Sequence, residues 1–484
     1  MSTPLGPRIS RLPALTRRRF LLLSAAATLA ACADERPEPS ASAGTPSTRP
    51  TAAATPTRAA STSAVPPSAE ATASPSPFPT PAGPGRRTIY RDAALADGRS
   101  DRLQVGVSVL VEAGTIRWIR PSDDEGDRGP GAGLEIVDAS GATIVPGMVD
   151  GHSHVTLPGG AHWIDRIGDP PATLLEVAER NGRLLTGAGV RWARDVGAPY
   201  VEDPVDGRRR GLSLGVRDRW RGRAGFPHLR AAGTWLDRAA ALPPSAHAVE
   251  ARTADELLAN AVGQLDDGAD FLKLYLDGPD PETSPWSIAE IARVVAAAHA
   301  RGARVTAHAG RLAGARAGVR AGVDAIEHGF VLDAEIAAEM ASSGTFLVST
   351  LAVMRSWQTF ARTTAVPSFT RADRRRAIAE RRERAMESVR LARAAGVAIA
   401  AGTDFGGGSL RANHLAWEVE ELVGAGLEPW EALGAATWRG GELLGEADAG
   451  MLREGGPADF FLVHGDPLSE PAALWRVWRV AWAD

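Results

Sequence analysis

The chain has one cysteine in 484 residues, which excludes an internal disulfide. An excess of one charge is also missing. The formal net charge is −4, and nothing in that balance argues for nucleic acid or for a strongly acidic substrate. The apolar run near the N-terminus, Leu21 to Ala31, is too short to cross a bilayer as a mature helix. Large apolar side chains are almost absent between Ala33 and Gly85. What remains is 44% hydrophobic and 23% charged, an ordinary globular composition able to bury a large core. The length suggests several units, although a barrel of ~250 residues counts as one.

The lone cysteine is informative through its position. Thr16-Arg17-Arg18-Arg19-Phe20-Leu21 precedes the apolar run and resembles a twin-arginine export signal. Leu29-Ala30-Ala31-Cys32 resembles a bacterial lipobox, in which the cysteine is lipidated and becomes the mature N-terminus. Residues 1–32 therefore read as a lipoprotein signal peptide. The expected location is across the cytoplasmic membrane, anchored at the cell envelope through Cys32. Residues 33–85, dominated by Ser, Thr, Ala and Pro, cannot bury enough surface to offset ordering entropy, and read as a disordered tether.

From residue 86 to 146 short alternating runs joined by turn signals, such as Val105–Val111 and Thr115–Ile119 around Ala113-Gly114, predict a small β unit. Strand-like runs then alternate with helical patterns over 147–447. They are Val190–Val196, Leu229–Leu236, Phe271–Leu276, Arg304–His308, Ala325–His328, Thr345–Leu351 and Val397–Thr403. Thr253-Ala254-Asp255-Glu256 reads as a capping box, and Ser287–Ala300 carries an apolar helical stripe. With the opening strand this makes about eight strand-then-helix units, the count of a (β/α)8 TIM barrel.

Chemistry in such a barrel sits at the C-terminal strand ends. His152 and His154 end Ile144-Val145-Pro146-Gly147-Met148-Val149-Asp150-Gly151-His152-Ser153-His154. Strand alternation puts both imidazoles on one face, where they can share a cation. Asp195, Lys273, His308, His328 and Asp404 fall at the other strand ends. Each has a bland reading as a satisfied core histidine, a snorkelling lysine or a turn aspartate. Lys273 lies in an apolar strand without a carboxylate beside it in sequence. A buried lysine loses its proton easily and can react with carbon dioxide to form a carbamate, an anionic bridge between two metals.

Taken together, Pro146–His154, Arg194-Asp195-Val196-Gly197, Phe271-Leu272-Lys273, Ala307-His308-Ala309, Ile326-Glu327-His328-Gly329, Ala401-Gly402-Thr403-Asp404, Ala435-Ala436-Thr437-Trp438 and Gly455–Pro467 resemble the metal-dependent amidohydrolase superfamily. They are most similar to its prolidase-like and imidazolonepropionase-like branch, from about Arg87 to the C-terminus. The resemblance implies two divalent ions, usually zinc. His152 and His154 hold the buried ion and His308 and His328 the more exposed one. A carbamylated Lys273 bridges them, and Asp404 binds the first ion and handles the proton. It implies a metal-bridging hydroxide attacking an amide carbonyl, with Asp404 acting as base and then acid. It also implies that 86–146 and 448–484 fold together as a small composite β-sandwich.

Lysine at 273 argues against a strictly mononuclear site. The loop Leu242–His247 lacks the glycine-rich run expected of close prolidase-like relatives, and the end at Asp484 suggests an abbreviated sandwich. Tyr275, His247 and His414 are secondary candidates for substrate contact, with a packed barrel tyrosine as the alternative for Tyr275 and a surface-loop residue for His247. Asp277 shares the inward face of Lys273 and Tyr275 if that strand continues. His162, His228, His299 and His464 read as structural or exposed. The basic run Arg371–Arg384 reads as the solvated face of a long helix. The expected activity is hydrolysis of a C–N bond in a small amide, dipeptide-like or cyclic amide substrate. An esterase or lactonase on the same site, and a lipoprotein scaffold without catalysis, are the alternatives.

Overall fold

The computed structural model describes residues 86–125, 133–160, 163–242, 247–365 and 370–481. The export signal with Cys32, the tether and His162 lie outside the described residues.

Strands from both ends of this region make one sheet. Arg87–Leu95 pairs antiparallel with Gln104–Glu112. The left-handed Ala113-Gly114 turn then returns the chain into Thr115–Pro121. Leu134–Asp138 pairs with the first half of Arg87–Leu95, and Ala142–Pro146 with its last residues. A bulge at Asp92, with φ 59°, lets the strand change partners. From the other end of the chain, Phe460–His464 pairs with Ala142–Pro146 and then with Val477–Val480. Tyr90, Val109, Ile144, Phe460 and Leu462 share one buried cluster, so both ends contribute to one core.

Between these ends lie eight barrel strands, parallel and paired in sequence order. The first two are Met148–Ser153 and Val190–Asp195. The third divides. His228–Ala231 pairs with the second strand, and Trp235–Arg238 pairs with the fourth, Phe271–Tyr275. The sequence suggested one run there, but Gly233 at φ 87° breaks it. Arg304–Ala309, Ala325–His328, Phe346–Ser349 and Ile399–Ala401 complete the series. Beyond the eighth strand, the Thr403 and Asp404 amides donate to the His152 carbonyl at 3.1 and 2.8 Å. The His154 amide donates to the Phe405 carbonyl at 3.0 Å. The last strand thus meets the first, giving a (β/α)8 barrel.

The helices follow from their caps and stripes. Ser287 and Glu290 form a capping box on Ile288–His299, which buries Ile291, Val294, Val295 and Ala298. Thr253 caps Ala254–Asp266, but the Glu256 carboxylate accepts from the Arg252 amide instead of returning to Thr253. Half of the expected box is therefore made. The arginine run falls on the long helix Ala372–Ala395, whose buried residues cluster in its C-terminal half.

A buried ion pair joins sheet and barrel. Arg191, on the second barrel strand, places Nε and Nη2 at 2.9 and 2.8 Å from Asp459 Oδ1, directly before Phe460–His464. Gly147 allows this crossing, because a Cβ there would lie 2.4 Å from Arg191 Cγ. His228 adds a contact to Asp459 Oδ2 at 3.3 Å while stacking on Trp192.

Candidate metal centre

Strand geometry delivers His152 and His154 together at the mouth of the barrel, both buried. Their Nε2 atoms each lie 3.5 Å from Asp404 Oδ1. Among the described residues these three form the compact group with metal-ligand geometry, their donor atoms within 4.8 Å of one another. The far side of each ring is held. His152 Nδ1 donates to Glu327 Oε2 at 2.6 Å, and His154 Nδ1 donates to the Gly197 carbonyl at 2.7 Å. Those bonds fix the tautomers that leave both Nε2 lone pairs facing Asp404. A Cβ on Gly402 would lie 2.5 Å from His152 Cβ, so the eighth strand passes this close only as glycine.

The other histidines continue the arc. The His328 ring centroid is 4.6 Å from that of His152 and 4.6 Å from that of His308. His328 Nδ1 lies 2.9 Å from Thr350 Oγ1. Glu418 brackets that threonine, accepting from Ser349 Oγ and from the Ala352 amide, each at 2.6 Å. His308 stacks on Tyr275 at 4.0 Å and contacts Asp277 Oδ2 at 3.3 Å. His328 and Asp404 are two of the five non-glycine residues with positive φ among the described residues, at 69° and 55°. Backbone held in this sparsely populated region gathers at functional sites.

Lys273 lies below the arc, 2% exposed, and among the described residues its Nζ has no hydrogen-bond partner. Burial pushes its amine down to about 8. The 54 basic residues of the chain include no other lysine, a count that singles out Lys273 and that motif reading alone passes over. Around it the barrel floor is ionic. Glu327, fully buried, accepts from Arg194 Nη2, Thr306 Oγ1 and His152 Nδ1. Burial works against its charge, but Arg194, Lys273 and His152 hold it well below the carboxylate range. Asp404 is likewise held low against burial, by His152, His154 and His328. Asp150 accepts from the Thr403 amide and hydroxyl at 3.0 and 2.7 Å, fastening the eighth strand to the first.

The remaining candidates divide. His247 is buried rather than on a surface loop, its ring 6.0 Å from Trp235, which in turn lies 5.7 Å from His154 and 6.1 Å from Tyr275. Burial, with His154 nearby, pushes His247 down to about 3. His414 packs instead between Trp417 and Trp475, at 4.8 and 5.4 Å. Asp195 holds the loop after the first strand, accepting from the Val155 and Gly197 amides at 2.7 and 3.0 Å. His299 pairs with Asp324, and His464 stacks on Trp478. Sequence reading missed Asp150, Arg194, Thr306 and Glu327 as parts of the site.

The donor set, four imidazoles in a chain of ring contacts, an ionised aspartate and a buried amine, fits divalent cations. The amidohydrolase family model matches residues 143–480. An uncharacterized protein of Mycobacterium tuberculosis is 32% identical over 391 residues, covering 79% of this chain and 95% of that one. The crystal structure of a Xaa-Pro dipeptidase with bound methionine superposes with a TM-score of 0.68 at 23% identity, covering 81% of this chain and 97% of the other. A crystallised amidohydrolase gives 0.66 at 26% identity, covering 82% and 100%. The matched segment runs from the composite sheet through every strand that carries a ligand candidate, and the chain belongs to the amidohydrolase family of metal-dependent hydrolases.

Proposed function

We propose that the chain hydrolyses a C–N bond in a small amide or dipeptide-like substrate, at a site for two divalent cations bridged by a carbamate on Lys273. The observation that carries this reading is the unpartnered Lys273 amine beside the arc His154, His152, His328 and His308. His152, His154 and Asp404 would hold one ion, His308 and His328 the other, and the carbamate would touch both. Bound in this way, the ions supply an acidified water and polarise the substrate carbonyl. Asp404 lies against both Nε2 atoms and is kept ionised, so it can take the proton of the attacking water and return it to the leaving amine. Trp235, Tyr275 and His247 line one side of the arc as an aromatic wall for the substrate. Dipeptides are the first substrates to try, because the Xaa-Pro dipeptidase shares this fold. Matched amides and esters in one panel separate an amidase from an esterase.

Metal analysis and 13C NMR of protein prepared with 13C-bicarbonate test the site. The expected result is two ions per chain and one carbamate signal, both falling in Lys273→Ala. A single ion, unchanged in that variant, would remove the bridge. The N-terminal sequence supports export and lipidation at Cys32 as part of the same proposal. Cys32→Ser should move the protein from the membrane to the soluble fraction of its native host or a relative, and wild type already soluble there would end that part.

A further inference from the structure

The turn after the seventh strand is held by a buried carboxylate from a distant helix. Glu418, on the helix Leu415–Gly424 that follows the eighth strand, is 0% exposed. Both of its oxygens are engaged. Oε1 accepts from Ser349 Oγ and Oε2 from the Ala352 amide, each at 2.6 Å. These partners lie 69 and 66 positions away in the chain. Ala352 is in the first turn of the helix Leu351–Thr363, where amides have no partner within the helix. Ser349 ends the seventh strand, and its carbonyl accepts from the Gly402 amide at 2.9 Å. Between these two grips sits Thr350, whose Oγ1 is 2.9 Å from His328 Nδ1. Burying a carboxylate is costly even when hydrogen bonds compensate, and an apolar side chain would serve packing alone.

We propose that Glu418 is a positioning residue for the more exposed of the two cations. It fixes Ser349 and Ala352, these fix Thr350, and Thr350 sets the ring of His328. This rests on the two-ion reading above. A bond from Nδ1–H to Thr350 Oγ1 selects the tautomer that offers Nε2 to an ion. Partners of this kind change metal affinity by about 10–100-fold. The other rings take their support elsewhere. His152 and His154 are held by Glu327 and by the Gly197 carbonyl, and His308 stacks on Tyr275. The influence of Glu418 therefore falls on one ion and spares the other.

The test counts zinc bound by the full chain, stripped of metal and titrated with zinc in the presence of bicarbonate. Wild type should take two ions. Glu418→Met should keep one at the wild-type zinc concentration and need roughly 10–100-fold more for the other. Thr350→Val should do the same. Combined, the two substitutions should go no further than the larger single effect, because they cut one chain of contacts. Glu418→Gln should restore wild-type uptake, its oxygen accepting from the Ala352 amide and its N–H donating to Ser349 Oγ. Gln lacks the charge, so its rescue separates positioning from simple attraction of the cation. Glu418→Ala, which leaves room for water at both donors, replaces Glu418→Met if that variant does not fold. Uptake unmoved in Glu418→Met, both ions weakened together, or a loss that Gln shares overturns the proposal while the two-ion site stands. A single ion in the wild type overturns both.

Discussion

Asp404→Asn lowers kcat by roughly 10²–10⁴-fold, with little change in KM. Asparagine suits this comparison. Asp404 sits at φ 55°, a left-handed conformation that Asn tolerates and most residues do not, so the backbone is spared. The amide keeps an oxygen that can face His152 and His154, 3.5 Å from each Nε2. It loses the charge that, in the proposed reaction, carries a proton from water to the leaving amine. Initial rates on the amide panel, read beside metal content per chain, separate the two roles. A loss under about tenfold with metal retained would sink Asp404 as the proton carrier. A loss matched by falling metal content would make it a ligand first.

Arg191→Ala lowers folding stability by about 3–5 kcal/mol, measured as the shift of the urea unfolding transition. Arg191 and Asp459 are each 2% exposed, so removing the guanidinium leaves a buried carboxylate without its main counter-ion. Burial alone would raise the Asp459 carboxyl, but Arg191 and His228 outweigh it and hold the group at about 2. A carboxyl with a depressed folded pKa stabilises above its unfolded value near 3.9. That contribution is lost as pH falls through the folded value. The wild type therefore keeps this joint down to about pH 2. In the variant the carboxyl rises, protonation then relieves the penalty of burying it, and the stability gap between the two proteins narrows as pH falls. Unfolding midpoints that move in parallel for both proteins between pH 5 and pH 3 would contradict the assignment.

The barrel was legible because strand-then-helix alternation and the polar strand ends are local signals. His152 and His154 needed a two-residue pleat, and the other candidates needed only the position of an apolar run. What holds them was hidden by distance along the chain. Asp150 and Thr403 are 253 positions apart, His152 and Glu327 are 175 apart, and only ring closure brings them together. The third strand was misjudged because Gly233 interrupts an apolar run whose composition gave no warning. His247 read as a loop residue since its burial depends on Trp235, twelve positions earlier, folding over it.

The sheet shared by the two ends also sets an order of events during synthesis. Ala142–Pro146 pairs with Phe460–His464, made about 300 residues later, roughly 15 s to a minute at 5–20 residues per second. Until then the strand leading into His152 carries an open edge, and the buried faces of Ile144 and Val145 wait for Phe461 and Leu462. A ribosome that stalls after the barrel strands and before Phe460–His464 leaves a nearly complete barrel with an unpaired strand, a species prone to edge-to-edge association. The C-terminal strands thus act as the closing stitch, and early termination should yield aggregate rather than a weaker enzyme.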